Sequence, residues 1–423
     1  MDYVPRLLDP YLADMLTALP AIAIDGAKGV GKTATASRLA KSVIELDSAA
    51  EIQASREDPS RIRRLDRPVL IDEWQYYPPI WDHVRRAVDA NPAPGGYLLT
   101  GSAVPGESPK HSGAGRIVHV RMRPFSLAER GLGAPTVSLA GLLSGERPDL
   151  AGSTALTAAD YAAEITRGGL PALRAVPERF RRAAWDGYLD EVLNRDLPEL
   201  GRPVRRRETL RAWLRSYAGA TSTVANYTDI LDNAAPQDAD KPAKATALAW
   251  REALLRMWLL DPLPAWDDPQ HLVGRLATTA KHHLADPALA AHLLGVTEGS
   301  LLLKANPDGR PRPGTLFGAL FESLVALSVR VSAEVAGCSV SHLRSRNGDH
   351  EVDLLVTRPD GKVLAIEVKS APEIAPGDVS DLRWLAGVLG DGLLDAVIVT
   401  TGPAAFRRGE DGIAVVPAAL LGP

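Results

Sequence analysis

Eight consecutive residues near the N-terminus have the types and spacing needed to bind the phosphates of a nucleotide. They form a complete G-x-x-x-x-G-K-[ST] motif, which consists of Gly26, Ala27, Lys28, Gly29, Val30, Gly31, Lys32 and Thr33. An apolar segment at 21–24 precedes the motif and a helical pattern at 33–43 follows it, as a phosphate-binding loop requires. Glycines let backbone N–H groups surround the phosphates, lysine pairs with the β- and γ-phosphates, and threonine binds Mg²⁺. The sequence therefore predicts a site for ATP and Mg²⁺.

A second motif supplies the acids that hydrolysis of ATP needs. The apolar run 69–71 ends in Asp72 and Glu73. An apolar strand that ends in acids is a weak pattern alone, but its position downstream of the phosphate-binding loop makes it informative. We expect Asp72 to hold Mg²⁺ and Glu73 to activate the attacking water.

Two further groups are candidates for sensing or stabilising the γ-phosphate. The apolar run 97–99 is followed by Thr100, Gly101 and Ser102, and either Ser102 or Thr100 is a candidate sensor. The alternative is an ordinary turn at the end of a strand. Arg116 is a candidate arginine finger for a neighbouring subunit, and the alternative is a surface arginine.

Three charged residues of the C-terminal region lie on two predicted strands that a tight turn joins. The turn is Pro-Asp-Gly at 359–361, and a three-residue loop pairs the two residues that flank it. Counting back along both strands from that pair places Asp353 opposite Glu367. Glu367 and Lys369 share one face, because side chains alternate along a strand.

The facing carboxylates predict a divalent cation between them. Like charges opposite each other are destabilising unless a cation neutralises them, and Mg²⁺ or Mn²⁺ can do so. Glu322, on an amphipathic helix upstream, offers a third acid. Lys369 would orient the nucleophile or stabilise the developing charge of a phosphorane. The alternative is a set of solvated or salt-bridged charges without a metal.

Composition limits the class of protein. The 423 residues are 45% hydrophobic and 24% charged, which is typical of a globular multidomain protein and excludes disordered, collagen-like and coiled-coil proteins. The net charge of -4 argues against nucleic-acid binding through bulk charge. The single cysteine excludes an intramolecular disulfide, and no apolar run approaches the 18 or so residues of a membrane span. No export signal is visible. We expect a cytoplasmic protein that does not enter a membrane.

Spacing of apolar residues divides the chain into regions. Apolar segments alternate with helical ones over 20–125, which predicts a parallel sheet covered by helices, and helical spacing dominates 126–295. A helical pattern and then strands follow a Pro- and Gly-rich linker at 306–314. The predicted fold class is α/β multidomain. The predicted domains are a P-loop AAA-type ATPase core at 1–130, a helical lid at 131–200, a winged-helix-like segment at 201–300 and an α/β domain at 311–423.

With both sites considered, the chain resembles the prokaryotic AAA-type ATPases that carry a C-terminal PD-(D/E)xK nuclease-like domain of unknown function. The segments that carry the resemblance lie at 26–33, 69–73, 98–102, 115–117, 168–171, 188–197 and 317–369. Among them only the phosphate-binding loop is individually specific. The resemblance implies an ATPase core, a helical lid, a winged helix and a C-terminal domain in which the three acids and Lys369 bind Mg²⁺ and cleave phosphodiesters.

The middle region contains the features that a winged helix would need. Helical patterns at 210–217, 226–232 and 246–257 precede a short apolar segment at 258–261. The segment 221–244 is longer and looser than a tight helix-turn-helix. The densest basic run of the chain lies just before these helical patterns. It can neutralise phosphates, or it can form a solvated helix face paired with acids such as Glu208. Its members are Arg202, Arg205, Arg206, Arg207 and Arg211.

Two functions from different classes fit these patterns. The first is an ATP-hydrolysing protein that acts on nucleic acid, DNA in the first place, through a metal-dependent nuclease-like domain. The second is a switch or signalling ATPase whose C-terminal domain binds nucleic acid or a protein partner without cleaving it. If Arg116 acts on a neighbouring subunit, the protein is a homo-oligomer.

Overall fold

The N-terminal part is a parallel sheet with helices packed against it. The computed structural model describes residues 3–103, 113–199, 206–234, 242–267, 276, 278–302 and 316–423. The strands are β1 Ala21–Asp25, β2 Ser42–Glu45, β3 Val69–Asp72, β4 Tyr97–Gly101 and β5 Val118–Arg121, in the order β2-β3-β4-β1-β5. The helices are α1 Leu8–Ala18, α2 Lys32–Ser37, α3 Ala49–Glu57 and α4 Pro79–Ala90. The predicted parallel sheet is confirmed.

The helix after the phosphate-binding loop is shorter than its sequence pattern predicts. It ends at Ser37 rather than near residue 43, and β2 follows. Val43 and Ile44 are β-branched and pair in parallel register with Leu70 and Ile71 of β3. Pairing with the sheet therefore overrides the local helical pattern.

Helices dominate the middle region. A short strand β6 Val137–Ser138 precedes them. The helices are α5 Leu139–Leu143, α6 Ala158–Arg167, α7 Pro171–Arg174, α8 Glu178–Glu191, a π-helical turn Val192–Asp196, α9 Leu197–Glu199, α10 Arg207–Gly219, α11 Tyr227–Ala234, α12 Lys244–Arg256, α13 Pro287–Leu293 and α14 Glu298–Leu302. The three helices predicted between 210 and 257 are confirmed as α10, α11 and α12. Arg202, Arg205 and the predicted linker at 306–314 lie outside the described residues.

The segment predicted as a short strand after α12 forms isolated bridges instead of a regular strand. Leu260 pairs with Leu284 and Leu263 with Lys281, both antiparallel. Backbone hydrogen bonds of 2.9 Å connect Leu263 and Lys281 in both directions. Three helices are thus followed by an antiparallel pairing of two chain segments.

The C-terminal domain is a mixed sheet flanked by helices. Its helices are α15 Leu316–Val335 and α16 Ser380–Leu389, and its strands are β7 Ser339–Arg344, β8 Glu351–Thr357, β9 Val363–Lys369, β10 Leu393–Thr400, β11 Phe406–Arg407, β12 Ala414–Pro417 and β13 Leu421–Gly422. The sheet order is β11-β12-β10-β9-β8-β7, and β13 pairs with β6. The predicted hairpin register is confirmed, because Thr357 pairs with Val363 and Leu354 with Ile366. The next pair along this register is Asp353 with Glu367.

α15 is the central helix of the C-terminal domain. In the described part of the chain it is the one helix long and apolar enough to cross a membrane, with mean hydropathy 1.6 over its most apolar window. The expectation that no apolar run reaches this length is therefore corrected. Glu322 and Arg330 interrupt the run of apolar residues in α15, but the mean hydropathy of the helix remains high. Since 72% of that window is buried inside the protein, α15 has the burial of a core helix.

One hydrophobic core joins the three regions. It contains Leu12 from α1, Trp213 from α10, Phe321 from α15 and Leu421 from β13. Smaller clusters cover the opposite faces of the two main sheets. The middle region therefore contacts both the ATPase core and the C-terminal domain through buried apolar side chains.

Candidate ATP-binding site and acidic cluster

The phosphate-binding loop connects β1 to α2 and depends on glycine at particular positions. Gly31 precedes α2 with a φ of 100°, in the left-handed region that favours glycine. A side chain at Gly26 would place its Cβ 2.3 Å from the backbone oxygen of Met122. The loop therefore lies directly against the chain that follows β5.

Lys32 is held inside the loop. Its Nζ donates hydrogen bonds to the backbone oxygens of Gly26 at 2.8 Å and Ala27 at 3.1 Å. Burial lowers the pKa of Lys32 to about 8, although the carboxylates of Glu73 and Asp72 oppose this shift. The ammonium thus lies where phosphates would bind, with carbonyl oxygens as its partners in this structure.

Thr33 and Asp72, the predicted Mg²⁺ ligands, are in direct contact. The Thr33 hydroxyl donates to the carboxylate oxygens of Asp72 at 2.8 and 3.1 Å. Thr100, on the strand between β1 and β3, also donates to Asp72. Burial raises the pKa of Asp72 despite these hydrogen bonds. A hydroxyl and a carboxylate are hard oxygen ligands, so these residues fit Mg²⁺.

Glu73 follows Asp72 in a strained conformation. Its φ of 52° and ψ of 46° lie in the left-handed region, which non-glycine residues seldom adopt. The Ser102 hydroxyl donates to Oε2 of Glu73 at 3.0 Å, and the Gln75 amide also donates to that oxygen. The predicted base and the predicted sensor Ser102 are therefore neighbours.

A cavity of about 870 Å³ opens beside the loop and is lined in part by residues that the sequence motifs do not include. Tyr3 and Arg6 line it from the N-terminal segment, and Pro171 lines it from the middle region. Arg6 donates to the backbone oxygen of Val30 at 2.8 Å and to Glu129 at 2.9 Å. No motif predicts Tyr3 and Arg6 at this site, because they reach it only through the tertiary fold.

Arg116 does not line the cavity at the phosphate-binding loop of its own chain. Its Nε donates to Asp89 Oδ1 at 2.9 Å, and its side chain is 46% exposed. An action on a second chain remains a prediction.

The middle region contacts the phosphate-binding loop directly. Lys28 Nζ lies 2.8 Å from Asp196 Oδ1, and the Tyr188 hydroxyl donates to the backbone oxygen of Lys28 at 3.2 Å. Asp196 ends the π-helical turn that follows α8. Such turns are frequent at functional sites. The loop and the middle region therefore share an ion pair and a hydrogen bond.

The predicted C-terminal acids meet at a buried lysine that the sequence reading missed. Lys281 Nζ lies 3.0 Å from Glu322 Oε1, 2.9 Å from Glu351 Oε1 and 2.8 Å from Asp353 Oδ1. We name Glu322, Glu351, Asp353 and Glu367 the acidic cluster. Burial alone would lower the pKa of Lys281, but the three nearby carboxylates raise it well above its usual value. No sequence pattern connects Lys281 to these acids.

Glu367 and Lys369 form the other side of the acidic cluster. Lys369 Nζ donates to Glu367 Oε1 at 2.7 Å, and the backbone N–H of Val368 donates to Asp353 Oδ2 at 2.9 Å. Burial and the charge of Asp353 raise the pKa of Glu367 above its usual value. Its Oε2 is buried and has no hydrogen-bond partner in the described part of the chain.

The acidic cluster does not fit the divalent metal that the sequence predicts. The unpartnered Glu367 oxygen is suited to a ligand, but Lys281 Nζ contacts two of the three predicted metal ligands, Glu322 and Asp353. Among the described residues, no group of three or more His, Cys, Asp or Glu side chains is arranged to hold a metal ion. The acids predicted as metal ligands therefore converge, but in this structure the cation that Glu322 and Asp353 contact is the ammonium of Lys281.

Sheet, loop and paired acids define an AAA-type P-loop ATPase domain at the N-terminus. Comparison with known proteins agrees, since an AAA domain model matches residues 19–130. Domains of unknown function match residues 158–300 (DUF8612) and 317–421 (DUF4143). The resemblance is thus confirmed for an ATPase domain followed by a C-terminal domain of unknown function.

Relatives of the whole chain include uncharacterised mycobacterial proteins. One from Mycobacterium tuberculosis and one from Mycobacterium bovis are each 28% identical over 373 residues, which cover 84% of this chain and 72% of theirs. The solved structure of a Walker-type ATPase of Pyrococcus abyssi aligns with 69% of this chain and 96% of its own chain. The aligned sequences are 18% identical and the TM-score is 0.42.

Proposed function

We propose that the protein is an Mg²⁺-dependent ATPase that works as a switch. The observation that carries this proposal is the contact of Thr33 with Asp72 beside the buried ammonium of Lys32. Thr33 and Asp72 would hold Mg²⁺, which supplies positive charge to the phosphates when it is bound. Lys32 pairs with the phosphates, and Glu73 accepts a proton from the attacking water.

The test is ATP turnover in a Glu73→Gln variant. We expect hydrolysis to fall by about 100-fold or more, because the amide cannot accept the proton, while ATP binding is retained. Glu57→Gln is the matched control, since Glu57 is exposed on α3. Phosphate release and binding of a fluorescent ATP analogue measure the two properties. Absence of turnover in the wild type, or undiminished turnover in Glu73→Gln, contradicts the proposal.

The switch character rests on the contacts of the loop with the middle region. Phosphates that enter the loop rearrange the backbone around Lys28, whose side chain and carbonyl contact Asp196 and Tyr188. Hydrolysis would then be transmitted to α8 and to the helices packed on it. This is the second of the two functions that the sequence allows.

Nucleic acid, DNA in the first place, is the partner that we propose, with a protein partner as the alternative. In support, the order of α10, α11, α12 and the following antiparallel pairing is that of a winged helix, and Arg206 and Arg207 are exposed. α15, β7, β8 and β9 also follow the helix–strand order that the PD-(D/E)xK resemblance implies. We also propose a cytoplasmic location.

Cleavage by the C-terminal domain is distinguished from binding by one assay. Labelled DNA and RNA are incubated with Mg²⁺ or Mn²⁺, with and without ATP, and with wild type, Lys369→Ala or Lys32→Ala. The switch proposal expects binding without cleavage. Cleavage that is lost in Lys369→Ala would establish a nuclease instead, and Lys32→Ala would show whether ATP controls it.

A homo-oligomer is a further part of the proposal. The side chain of Arg116 is 46% exposed, and within the described residues it donates to Asp89 and to the backbone oxygen of Ala114. It is therefore available to a second chain. A monomer at micromolar concentration in the presence of ATP would argue against a finger acting between subunits.

A further inference from the structure

The acidic cluster contains a cation that the chain itself provides. Lys281 lies in the middle region, whereas Glu322 belongs to α15, and Glu351 and Asp353 belong to β8. The lysine side chain is 1% exposed. The ammonium donates hydrogen bonds to Asp353 at 2.8 Å and to Glu322 at 3.0 Å, and a carboxylate oxygen of Glu351 lies 2.9 Å from it.

The backbone fixes the position of this ammonium. Lys281 pairs with Leu263 through two hydrogen bonds of 2.9 Å. His282 and His283 on its C-terminal side are buried, and His283 Nδ1 lies 3.1 Å from the hydroxyl of Ser323, the neighbour of Glu322. Both sides of the contact are therefore part of packed structure, and Lys281 is not a mobile surface lysine that happens to reach the acids.

A divalent metal and this ammonium compete for the same oxygens. Mg²⁺ needs oxygen ligands at about 2.0–2.1 Å in octahedral geometry. The oxygens of Glu322 and Asp353 already point at Lys281 Nζ, and a metal among them would lie within a few ångströms of a buried like charge. Arg344 and Lys369 add positive charge at the edges of the acidic cluster, on Glu351 and Glu367 respectively.

We propose that Lys281 is the permanent cation of the acidic cluster and takes the place of a divalent metal there. The inference goes beyond ATP hydrolysis and does not depend on it. The charge of the acidic cluster in the C-terminal domain is then neutralised by a lysine of the middle region instead of by Mg²⁺ or Mn²⁺. Removal of the ammonium converts the acidic cluster into a metal site.

The experiment measures Mn²⁺ binding by full-length chains without nucleotide. All chains carry Asp72→Asn, so that the ATP-binding site contributes no strong Mn²⁺ site. Lys281→Met removes the charge at similar side-chain length, and Lys362→Met is the matched control because Lys362 is exposed in the β8–β9 turn. Electron paramagnetic resonance counts free Mn²⁺, and thermal unfolding gives the midpoint with and without Mn²⁺.

We expect no stoichiometric Mn²⁺ binding in the Asp72→Asn chain or in the Lys362→Met control. Lys281→Met should lower the midpoint by roughly 5–10 °C, because it leaves buried carboxylates without their cation. It should also bind one Mn²⁺ per chain, with partial recovery of the midpoint, and added Asp353→Asn should abolish both effects.

Two results would overturn the inference. One is a Mn²⁺ ion bound by the Asp72→Asn chain and lost on added Asp353→Asn, since a metal would then coexist with Lys281. The other is a folded Lys281→Met chain that binds no Mn²⁺. If Lys281→Met does not fold, the Mn²⁺ titration of Asp72→Asn, with and without Asp353→Asn, decides alone. Loss of ATP turnover affects none of these measurements.

Discussion

Two buried lysines show how the partners of an ammonium decide its pKa. Lys32 is 5% exposed and Lys281 is 1% exposed, so both lose most of their hydration. The nearest partners of Lys32 are neutral carbonyl oxygens, and burial lowers its pKa to about 8. Lys281 contacts three carboxylates, which outweigh burial and raise its pKa. Lys32 is thus suited to receive phosphates, whereas Lys281 is already neutralised.

The lowered pKa of Lys32 predicts a pH dependence of nucleotide binding. Phosphates favour the ammonium, so the complex retains a proton that the free protein loses above about pH 8. Affinity for ADP should therefore be constant below pH 8 and fall by up to about tenfold for each pH unit above it. Dissociation constants from pH 6.5 to 9.5, measured by calorimetry, test this expectation.

Lys32→Arg is the control for this prediction. Arginine stays charged throughout the range, so its affinity, although weaker, should not change with the same slope. An affinity of the wild type that is constant up to pH 9.5 would show that the ammonium is not the titrating group.

At the scale of elements, Asp286 connects two segments that are distant in sequence. Its Oδ1 accepts from the N–H of Ala288 at 3.0 Å and caps α13, while its Oδ2 accepts from the N–H groups of Gly169 at 2.7 Å and Leu170 at 3.2 Å. The carboxylate is 1% exposed. The 168–171 segment, which leads into Pro171 at the ATP cavity, is therefore tied to the start of α13 by a buried acid.

Loss of this acid should destabilise the protein more than loss of an exposed cap. Asp286→Ala removes a helix cap and leaves buried N–H groups unpaired, at a cost of about 2–4 kcal/mol. Thr157→Ala removes the exposed cap of α6 and should cost about 1 kcal/mol. Urea unfolding of both variants measures the difference, and equal losses would mean that the bonds to Gly169 and Leu170 contribute nothing.

Features whose conformation depends on residues adjacent in the chain were predictable from the sequence. Contacts between elements that are distant in the chain were not. The phosphate-binding loop and the β8–β9 register follow from residues adjacent in the chain, so both were predicted. β2 was missed because its pairing with β3 decides its conformation. Lys281 was missed because it lies 41 and 72 residues from Glu322 and Asp353, and no periodicity reports such a contact. The metal prediction took no account of this ammonium for the same reason.

At the scale of the whole molecule, Asp261 connects all three regions. Arg123, which follows β5, donates to its Oδ2 at 2.8 Å, and Arg330 of α15 donates to its Oδ1 at 2.8 Å. Arg121 lies 4.0 Å away and stacks on Trp258. Burial opposes ionisation of Asp261, but the three guanidinium groups hold its pKa well below the usual range.

Asp261→Asn should loosen the junction of the three regions. The amide leaves buried guanidinium groups without their main counter-charge, and such losses cost about 3–5 kcal/mol. Because folding lowers the pKa of Asp261, its ionic contribution is complete above about pH 4 and declines as the pH falls further. The difference between the thermal midpoints of the two proteins, measured from pH 3 to 8, should therefore be constant above about pH 4 and become smaller below it. A constant difference over this range would contradict the ionic explanation.

The order of synthesis gives the Lys281 contact another meaning. Lys281 is translated 72 residues before Asp353, an interval of roughly 4 to 14 s at about 5–20 residues per second. Glu322 is translated 41 residues after Lys281, so until Asp353 follows, the ammonium lacks at least one of its three partners. When β8 is synthesised, its carboxylates Glu351 and Asp353 can pair with Lys281, which has already been translated. A fragment that begins after Lys281 would contain Glu322 and Asp353 without the ammonium that they share.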